Sequence, residues 1–209
     1  MIFYNYFRSS ASYRVRIALE LKGMKPEKIV DIDLRQNEQK SAAYRKIAPS
    51  ALVPTFQFDD MSFSQSIALI EWMDAKCPEP RLIPENPEKA LAVREIAFAI
   101  ACDIHPLNNL RVLNYLTGTL EQSEDVKNQW YAHWVQAGFD GVEDRLNRQS
   151  KTSPFAFGDA PTLADICIVP QVFNAKRFDV DLTAYPRILQ ITEQCNQLAA
   201  FQAASPDNH

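Results

Sequence analysis

One change in hydrophobic patterning, at a proline-rich segment, constrains the fold of this chain more than any other feature. Before that segment, short strand-like runs alternate with helical spacing, whereas only helical spacing remains after it. Residues 78–87, PEPRLIPENP, contain four prolines and are typical of a linker. The sequence therefore predicts an α/β domain over residues 1–78, a linker over 79–87 and an all-helical domain over 88–209.

The first domain is predicted to follow the order strand, helix, strand, hairpin and helix. Tyr13, Ile17 and Leu21 recur at helical spacing, and Gly23 supplies a stop at the end of that helix. A second helix is expected to begin at Ser66. The strands are expected at residues 2–6, 28–32, 54–58 and 61–63.

The second domain is predicted to consist of helices joined by short turns. Pro106 interrupts one of them, and we expect a kink there because helical spacing resumes directly afterwards. Thr162 begins the stretch TLAD, which fits a capping box with Asp165 at the third helical position. Further helices are expected over residues 124–148 and 185–203.

Composition and charge exclude several classes of function. Apolar residues make up 46% of the 209 residues and charged residues 23%, as in a soluble globular protein. The net charge of −4 provides no basic field for nucleic acid or an anionic membrane, so an anionic substrate would need local arginines. No apolar run approaches the roughly 18 residues of a membrane span. The first residues do not resemble a signal peptide, so we expect a cytoplasmic protein.

The spacing of cysteine and histidine argues against a disulfide framework and a metal centre. Cys77, Cys102, Cys167 and Cys195 are scattered through apolar helical stretches, so we expect buried free thiols. The three histidines form no HxxxH or HExxH pattern, and no metal site is predicted.

Two polar joints in the first domain are candidate ligand sites. Arg8 and Ser9 lie where the first strand passes into the first helix, and a hydroxyl there can cap the helix or donate to an anion. Gln65 and Ser66 lie at another helix start, where Ser66 is either an N-cap residue or part of a carboxylate site. The residues alone leave both alternatives open.

The second domain contains a further group of candidates. His105, Asn109 and Arg111 lie around Pro106, and the spacing of four allows His105 and Asn109 to share a helix face. Arg177 lies near a predicted helix end, where a cation is favourable in any case.

Long motifs at both ends of the chain resemble the zeta class of glutathione transferases. The matching stretches are YFRSSASYRVRIALELKG at 6–23, VP at 53–54, QSIALIEW at 65–72 and FGDAPTLADICIVPQVFNAKRFDVDLTAYP at 157–186. The resemblance runs from Ile2 to about Ile188. It implies an α/β plus all-α fold, with an N-terminal thioredoxin-like domain and a C-terminal all-helical glutathione-transferase domain.

The same resemblance implies roles for individual residues. Ser9 matches the serine that donates a hydrogen bond to the glutathione sulfur, while Arg8 and Arg177 match anchors for the substrate carboxylates. Arg111 is a further candidate for binding the substrate. The residues implied in cofactor binding are Ser9, Ala11, Val53, Pro54, Gln65, Ser66, His105 and Asn109. Among these, Pro54 is the expected cis-proline, Val53 its backbone partner, and Gln65 with Ser66 the pair that holds the glutamyl end.

Two departures from the family pattern affect the chemistry. Family members typically read SSCS where this chain reads SSAS, so Ala11 replaces a cysteine near the sulfur site. The reactive sulfur should therefore come from glutathione and not from the protein. His105 replaces the glutamine of many members, and together with Asn109 and Arg111 it favours the maleylpyruvate-processing branch.

The resemblance implies a glutathione-dependent cis–trans isomerase of a conjugated dicarboxylic keto acid. The expected reaction converts maleylacetoacetate to fumarylacetoacetate in the degradation of aromatic amino acids or other aromatic compounds. The alternatives are a maleylpyruvate isomerase, a general transferase acting on small electrophiles such as α-halo acids, and a non-catalytic interaction module. The family also implies a homodimer in which the first domain packs against the partner's helical domain.

Overall fold

The computed structural model describes residues 1–148 and 153–208 and divides the chain into two compact units. The first unit comprises Met1–Leu82 together with Gln197–His209, and the second comprises Ile83–Asn196. Within the described residues, no helix is long and apolar enough to cross a membrane.

The first unit is built on a mixed four-stranded sheet, as the sequence predicts. In the described residues the strands are β1 (Ile2–Asn5), β2 (Lys28–Asp31), β3 (Thr55–Phe58) and β4 (Met61–Ser64). Their order is β2-β1-β3-β4, with β1 parallel to β2 and the other pairs antiparallel. Between Met1 and Leu82 the described α-helices are α1 (Ser10–Lys22), α2 (Ala42–Ile47) and α3 (Ser66–Lys76).

Alternating side chains of β1 place two apolar clusters on opposite faces of the sheet. Phe3 contacts Phe56 edge to face on one side, with ring centroids 5.5 Å apart. Tyr4 contacts Tyr44 of α2 on the other side, in a cluster of buried residues that includes Val53. Arg8 and Ser9 therefore lie in the turn that follows a strand whose side chains are buried on both faces of the sheet.

Local capping fixes the ends of α1. Ser9 is the N-cap residue, and Gly23 ends the helix in the left-handed conformation at φ 61°. Lys22, in the last turn, is fully buried and reaches Asp74 of α3. α1 and α3 pack against each other and both begin at the same end of the sheet.

The second unit is helical, as predicted. Its described elements are α4 (Pro87–Phe98), a π-helix (Ala99–Ile104), α5 (Leu110–Gly118), α6 (Glu124–Asn147), α7 (Leu163–Arg177) and α8 (Pro186–Asn196). The capping box at α7 is present, because Asp165 accepts hydrogen bonds of 2.8 Å from both the N–H and the hydroxyl of Thr162. Burial raises the pKa of Asp165 in spite of these bonds.

Three predictions from hydrophobic spacing are wrong in detail. Pro106 does not kink a continuing helix, because the π-helix ends before it and Asn109 caps a new helix. The predicted last helix is two helices, α8 and α9 (Ala199–Ala204), and α9 packs on α1. Cys102 is exposed and Cys77 only partly buried, because both lie on the solvent side of their segments.

Candidate active site

Three joints of the first unit meet at one end of the sheet. The end of β1 leads to Arg8 and Ser9, and the end of β4 leads to Gln65 and Ser66. β3 runs antiparallel to both, so its first residue, Thr55, pairs with Tyr4 near the end of β1 and with Ser64 at the end of β4. Val53 and Pro54 directly precede Thr55. The structure therefore brings together at this end of the sheet all the residues of this unit that the resemblance implies.

The hydroxyl of Ser9 both caps α1 and keeps its own proton available. Its Oγ accepts a hydrogen bond from the Ser12 N–H at 3.2 Å. In the part of the chain that the structure describes, no acceptor receives the Ser9 hydroxyl proton. A hydroxyl that already accepts a bond is free to donate one to an anion, and the positive end of the helix favours negative charge there. Ala11 is half-buried in the first turn, where it places no polar group.

Gln65 adopts a backbone conformation that non-glycine residues rarely adopt. Its φ is 76° and its ψ 108°, outside the regions that a side chain with a Cβ prefers. Gln65, and not Ser66, precedes the first helical residue of α3, so the interpretation of Ser66 as an N-cap serine is wrong. Gln65 is exposed at the sheet end, and Ser66 directly after it is buried.

Arg14 is a residue of this region that sequence reasoning missed. Its side chain is only 1% exposed, and its Nη1 donates to the Ser66 Oγ at 3.4 Å. The guanidinium therefore lies beneath the start of α3, in contact with the serine that the resemblance assigns to glutathione. The signal was present in the sequence, because Arg14 interrupts the apolar side of α1.

The remaining backbone positions of the first unit agree with the resemblance. The Val53–Pro54 peptide bond is cis, and both residues are buried.

Gln39 is, after Arg14, a second polar residue that the sequence did not single out. Its Oε1 is buried without a hydrogen-bond partner in the described residues, which makes it a candidate acceptor for a ligand N–H.

The candidates of the second unit lie between the π-helix and α5. Asn109 is the N-cap residue of α5, and its Oδ1 accepts from the Arg111 N–H at 3.1 Å. Only the amide nitrogen of Asn109 is therefore left to donate to a ligand. His105 is half-buried and donates its backbone N–H to the Ile100 carbonyl at 2.9 Å.

Arg8, Arg111 and Arg177 share one electrostatic property. All three are exposed, and no carboxylate of the described residues lies within ion-pair distance of them. By contrast, Arg35 is paired with Asp33 at 2.8 Å. In a chain of net charge −4, cations without a carboxylate partner remain available for an anionic ligand.

Arg177 is held by its own helix and lies beside a buried tyrosine. Its Nη1 donates to the Asn174 Oδ1 at 2.8 Å. Tyr131 stacks on the ring of Phe178, with centroids 3.9 Å apart. Burial raises the pKa of Tyr131, although the charge of Arg177 opposes this. The sequence alone, which places Arg177 near a predicted helix end, did not reveal this environment.

Comparison with known proteins decides the family. The glutathione S-transferase N-terminal domain model matches residues 8–76 and the C-terminal domain model matches residues 128–200. A probable maleylacetoacetate isomerase from Vibrio cholerae is 43% identical over the whole of this chain and 96% of its own. A holo structure of maleylpyruvate isomerase, a bacterial zeta-class transferase, is 41% identical, has a TM-score of 0.96, and is matched over 100% of this chain and 98% of that one.

The chain belongs to the zeta class of glutathione transferases. A maleylacetoacetate isomerase from Methylobacterium extorquens AM1, with bound malonate and glutathione, has a TM-score of 0.95 at 31% identity and is matched over 100% of this chain and 98% of that one. As in other members of this class, the thioredoxin-like domain is followed by a helical domain. Among the described residues of this zeta-class transferase, no group of three His, Cys, Asp or Glu side chains could hold a metal ion.

Proposed function

We propose that this chain is a glutathione-dependent cis–trans isomerase that converts maleylacetoacetate to fumarylacetoacetate. The observation that carries the proposal is the combination of a Ser9 hydroxyl with a free proton and exposed arginines without carboxylate partners. The Ser9 hydroxyl suits a thiolate, and the exposed arginines suit a dicarboxylate. The glutathione and malonate bound to a related isomerase support the same pair of ligands.

The reaction begins with addition of the glutathione thiolate to the conjugated carbon–carbon double bond. The electron pair of that bond moves onto the keto oxygen and forms an enolate, while the former double bond becomes single. Rotation about this bond followed by collapse of the enolate re-forms the double bond in the trans configuration. The carbon–sulfur bond breaks in the same step, so glutathione leaves unchanged. Because Ala11 stands in the position of the family's cysteine, no protein thiol is needed.

Ser9 is the residue assigned to the thiolate. An unperturbed thiol has a pKa near 8.5 and is mostly protonated at pH 7. A hydroxyl hydrogen bond and the positive end of α1 together lower such a pKa by about one to two units. Each unit corresponds to about 1.4 kcal/mol of preference for the thiolate.

Arg8 and Arg177 are the residues assigned to the two substrate carboxylates. Guanidinium groups bind carboxylates through two parallel hydrogen bonds, which fixes orientation as well as charge. Arg111 or His105 is assigned to the developing enolate oxygen, where a donor stabilises the transition state. Val53, Pro54, Gln65, Ser66, His105 and Asn109 are assigned to glutathione.

Maleylpyruvate is the alternative substrate. It carries the same keto group, cis double bond and two carboxylates, so the residues above suit it equally well. The similarity to a maleylpyruvate isomerase, at 41% identity over the whole chain, supports this second possibility. A comparison of kcat/KM for the two acids distinguishes them, and the preferred acid is the one with the higher value.

The assay that tests the proposal compares charged and neutral substrates in one variant. Arg177→Ala should raise the KM for the dicarboxylate by about tenfold or more, because it removes a charge-assisted bond. Its activity with glutathione and a neutral electrophile should stay within about twofold of the unsubstituted enzyme. An equal loss on both substrates, or on neither, would remove Arg177 from the carboxylate site and favour a general transferase.

Two finer points belong to the same proposal: a homodimer and a cytoplasmic location. β4 is an edge strand, and Met61 and Phe63 on it are 62% and 48% exposed. Exposed apolar groups on an edge strand favour a partner surface. Leu91 and Phe98 of α4 are exposed apolar residues of the helical domain, which the proposal places on the partner's side.

The free cysteines support the proposed cytoplasmic location, because they are consistent with a reducing compartment.

A further inference from the structure

The segment from His105 to Asn109 is anchored to α6 by two hydrogen bonds. The indole Nε1 of Trp130 donates to the Leu107 carbonyl at 2.9 Å. The side-chain amide of Asn108 donates to the Tyr131 carbonyl at 3.2 Å. Neither bond involves the side chain of His105 or of Asn109.

A third contact lies at the start of this segment and depends on a glycine. Ile104, the last residue of the π-helix, is fully buried. A Cβ placed on Gly138 of α6 would lie 2.2 Å from Ile104 Cγ1 and 2.4 Å from Ile104 Cδ1. Both distances are far below van der Waals contact, so only glycine allows the isoleucine to pack directly against the backbone of α6.

The π-helix sets the direction in which the segment leaves. The His105 N–H bonds to the carbonyl of Ile100, five residues earlier, instead of the four of an α-helix. One residue is thereby added to the turn, which changes the direction of every side chain that follows it. Ile104, which contacts Gly138, is the last residue of this wider turn.

We propose that Gly138 is a positioning residue for glutathione binding. By admitting Ile104 against α6, it sets the end of the π-helix and so orients His105 and Asn109, the two side chains assigned to glutathione in this unit. The identity of the ligand as glutathione rests on the proposed function. The packing of Ile104 against Gly138 does not depend on it. A methyl group at position 138 displaces Ile104 and with it the segment that follows.

The test compares Gly138→Ala with Gly141→Ala, a matched control on the same helix. A Cβ on Gly141 meets nothing within 4 Å, so this control carries the same change in helix propensity without the clash. Gly138→Ala should raise the KM for glutathione by about tenfold. Gly141→Ala should leave this KM unchanged.

The indole N–H resonance of Trp130 reports the displacement without any ligand. The chain has three tryptophans, so its indole signals are readily assigned in a nitrogen–proton correlation spectrum. Gly138→Ala should shift the Trp130 signal, because displacement of the segment changes the hydrogen bond from the indole N–H to the Leu107 carbonyl. Gly141→Ala should leave the signal unchanged. If the unsubstituted enzyme failed to bind glutathione, the proposed function would fall, yet the indole shift would still test the positioning.

Rescue distinguishes positioning from general loss of structure. In the double variant Gly138→Ala with Ile104→Ala, the clashing atoms are gone, and the KM for glutathione should return towards that of the unsubstituted enzyme. If Gly138→Ala does not fold, the double variant carries the test against Ile104→Ala alone. The proposal is overturned if Gly138→Ala shifts the indole signal with unchanged KM, if it changes neither, or if the double variant remains as impaired as the single one.

Discussion

Ser9 has two tasks at the residue scale, and a substitution should affect them differently. Removing the hydroxyl by Ser9→Ala should lower kcat by about 10- to 100-fold, because the glutathione thiol regains a pKa nearer its free value. The KM for glutathione should change little, since other residues hold the rest of the tripeptide. Loss of the N-cap should also reduce the free energy of unfolding by about 1 kcal/mol.

The adjacent serines supply the controls for this prediction. Ser12 is fully buried, and its Oγ has no hydrogen-bond partner in the described residues, so Ser12→Ala should leave kcat unchanged and cost little stability. Ser9→Thr keeps both the cap and the donor and should retain most of the activity. Near-normal turnover by Ser9→Ala would show that the thiolate is stabilised elsewhere.

Gln65 combines backbone strain with a proposed ligand contact. Gln65→Gly relieves the positive φ and should raise the free energy of unfolding by about 1 kcal/mol, while the KM for glutathione rises because the side-chain amide is lost. Glu121, exposed at φ 51°, is the control: Glu121→Gly should stabilise without changing the KM. Denaturant unfolding and steady-state kinetics on the same samples measure both effects. A Gln65→Gly variant with unchanged KM would remove Gln65 from the site.

At the scale of elements, the sequence predicts what local chemistry determines. Helical spacing with Ser9 and Gly23 at its ends defines α1, and the capping box at Thr162 defines the start of α7. The π-helix was not predictable from hydrophobic spacing, and its last residue, Ile104, packs against Gly138, more than thirty residues away. The location of α9 was not predictable either, because it depends on a contact between residues far apart in the sequence. Arg16 of α1 donates a hydrogen bond of 2.9 Å to the carbonyl of Ala204, the last residue of α9.

Some residues of the candidate site could likewise be predicted from the sequence, and others only from the fold. Ser9, Gln65 and Arg177 could be predicted because long motifs resemble a known family. Arg14 left a signal as a charge on the apolar side of α1, but its burial appears only once the fold is known. Gln39 left no signal, because its buried acceptor without a partner in the described residues appears only in the fold. The availability of Arg177 also depends on which carboxylates lie near it in space.

Lys22 joins α1 to α3 and to the start of the linker. Its buried Nζ donates to Asp74 Oδ1 at 2.5 Å and to the carbonyls of Cys77 and Pro80 at 2.8 and 2.6 Å. Lys22→Met should therefore reduce the free energy of unfolding by about 3–5 kcal/mol, because it leaves a buried carboxylate without its cation. Equilibrium denaturation in guanidinium chloride measures this change.

The control for Lys22 is an exposed ion pair of the helical domain. Arg148 and Asp144 are both exposed, so Arg148→Ala should cost less than about 1 kcal/mol. Adding Asp74→Asn to Lys22→Met should recover part of the loss, since it neutralises the buried carboxylate that lost the Lys22 cation. Equal effects of Lys22→Met and Arg148→Ala would contradict the assigned role.

At the scale of the whole molecule, the proposed homodimer gives a prediction about the β4 edge. A charge in place of an exposed apolar residue, as in Phe63→Glu, should convert the dimer to a monomer, because the charge would be desolvated in the interface. Light scattering at several protein concentrations measures the mass. Lys28→Glu, at an exposed and already polar position on the opposite edge strand, is the control and should remain dimeric. A monomeric unsubstituted protein would contradict the proposal.

The fate of glutathione tests the central claim most directly, because an isomerase regenerates it and a transferase consumes it. The enzyme is incubated with a large excess of maleylacetoacetate or maleylpyruvate over glutathione, and both the trans product and the free thiol are measured over time. The proposed function predicts many turnovers per glutathione, complete conversion to the trans acid and full recovery of the thiol. Turnover that stops when one equivalent of glutathione has been consumed, or that proceeds unchanged without glutathione, would contradict it.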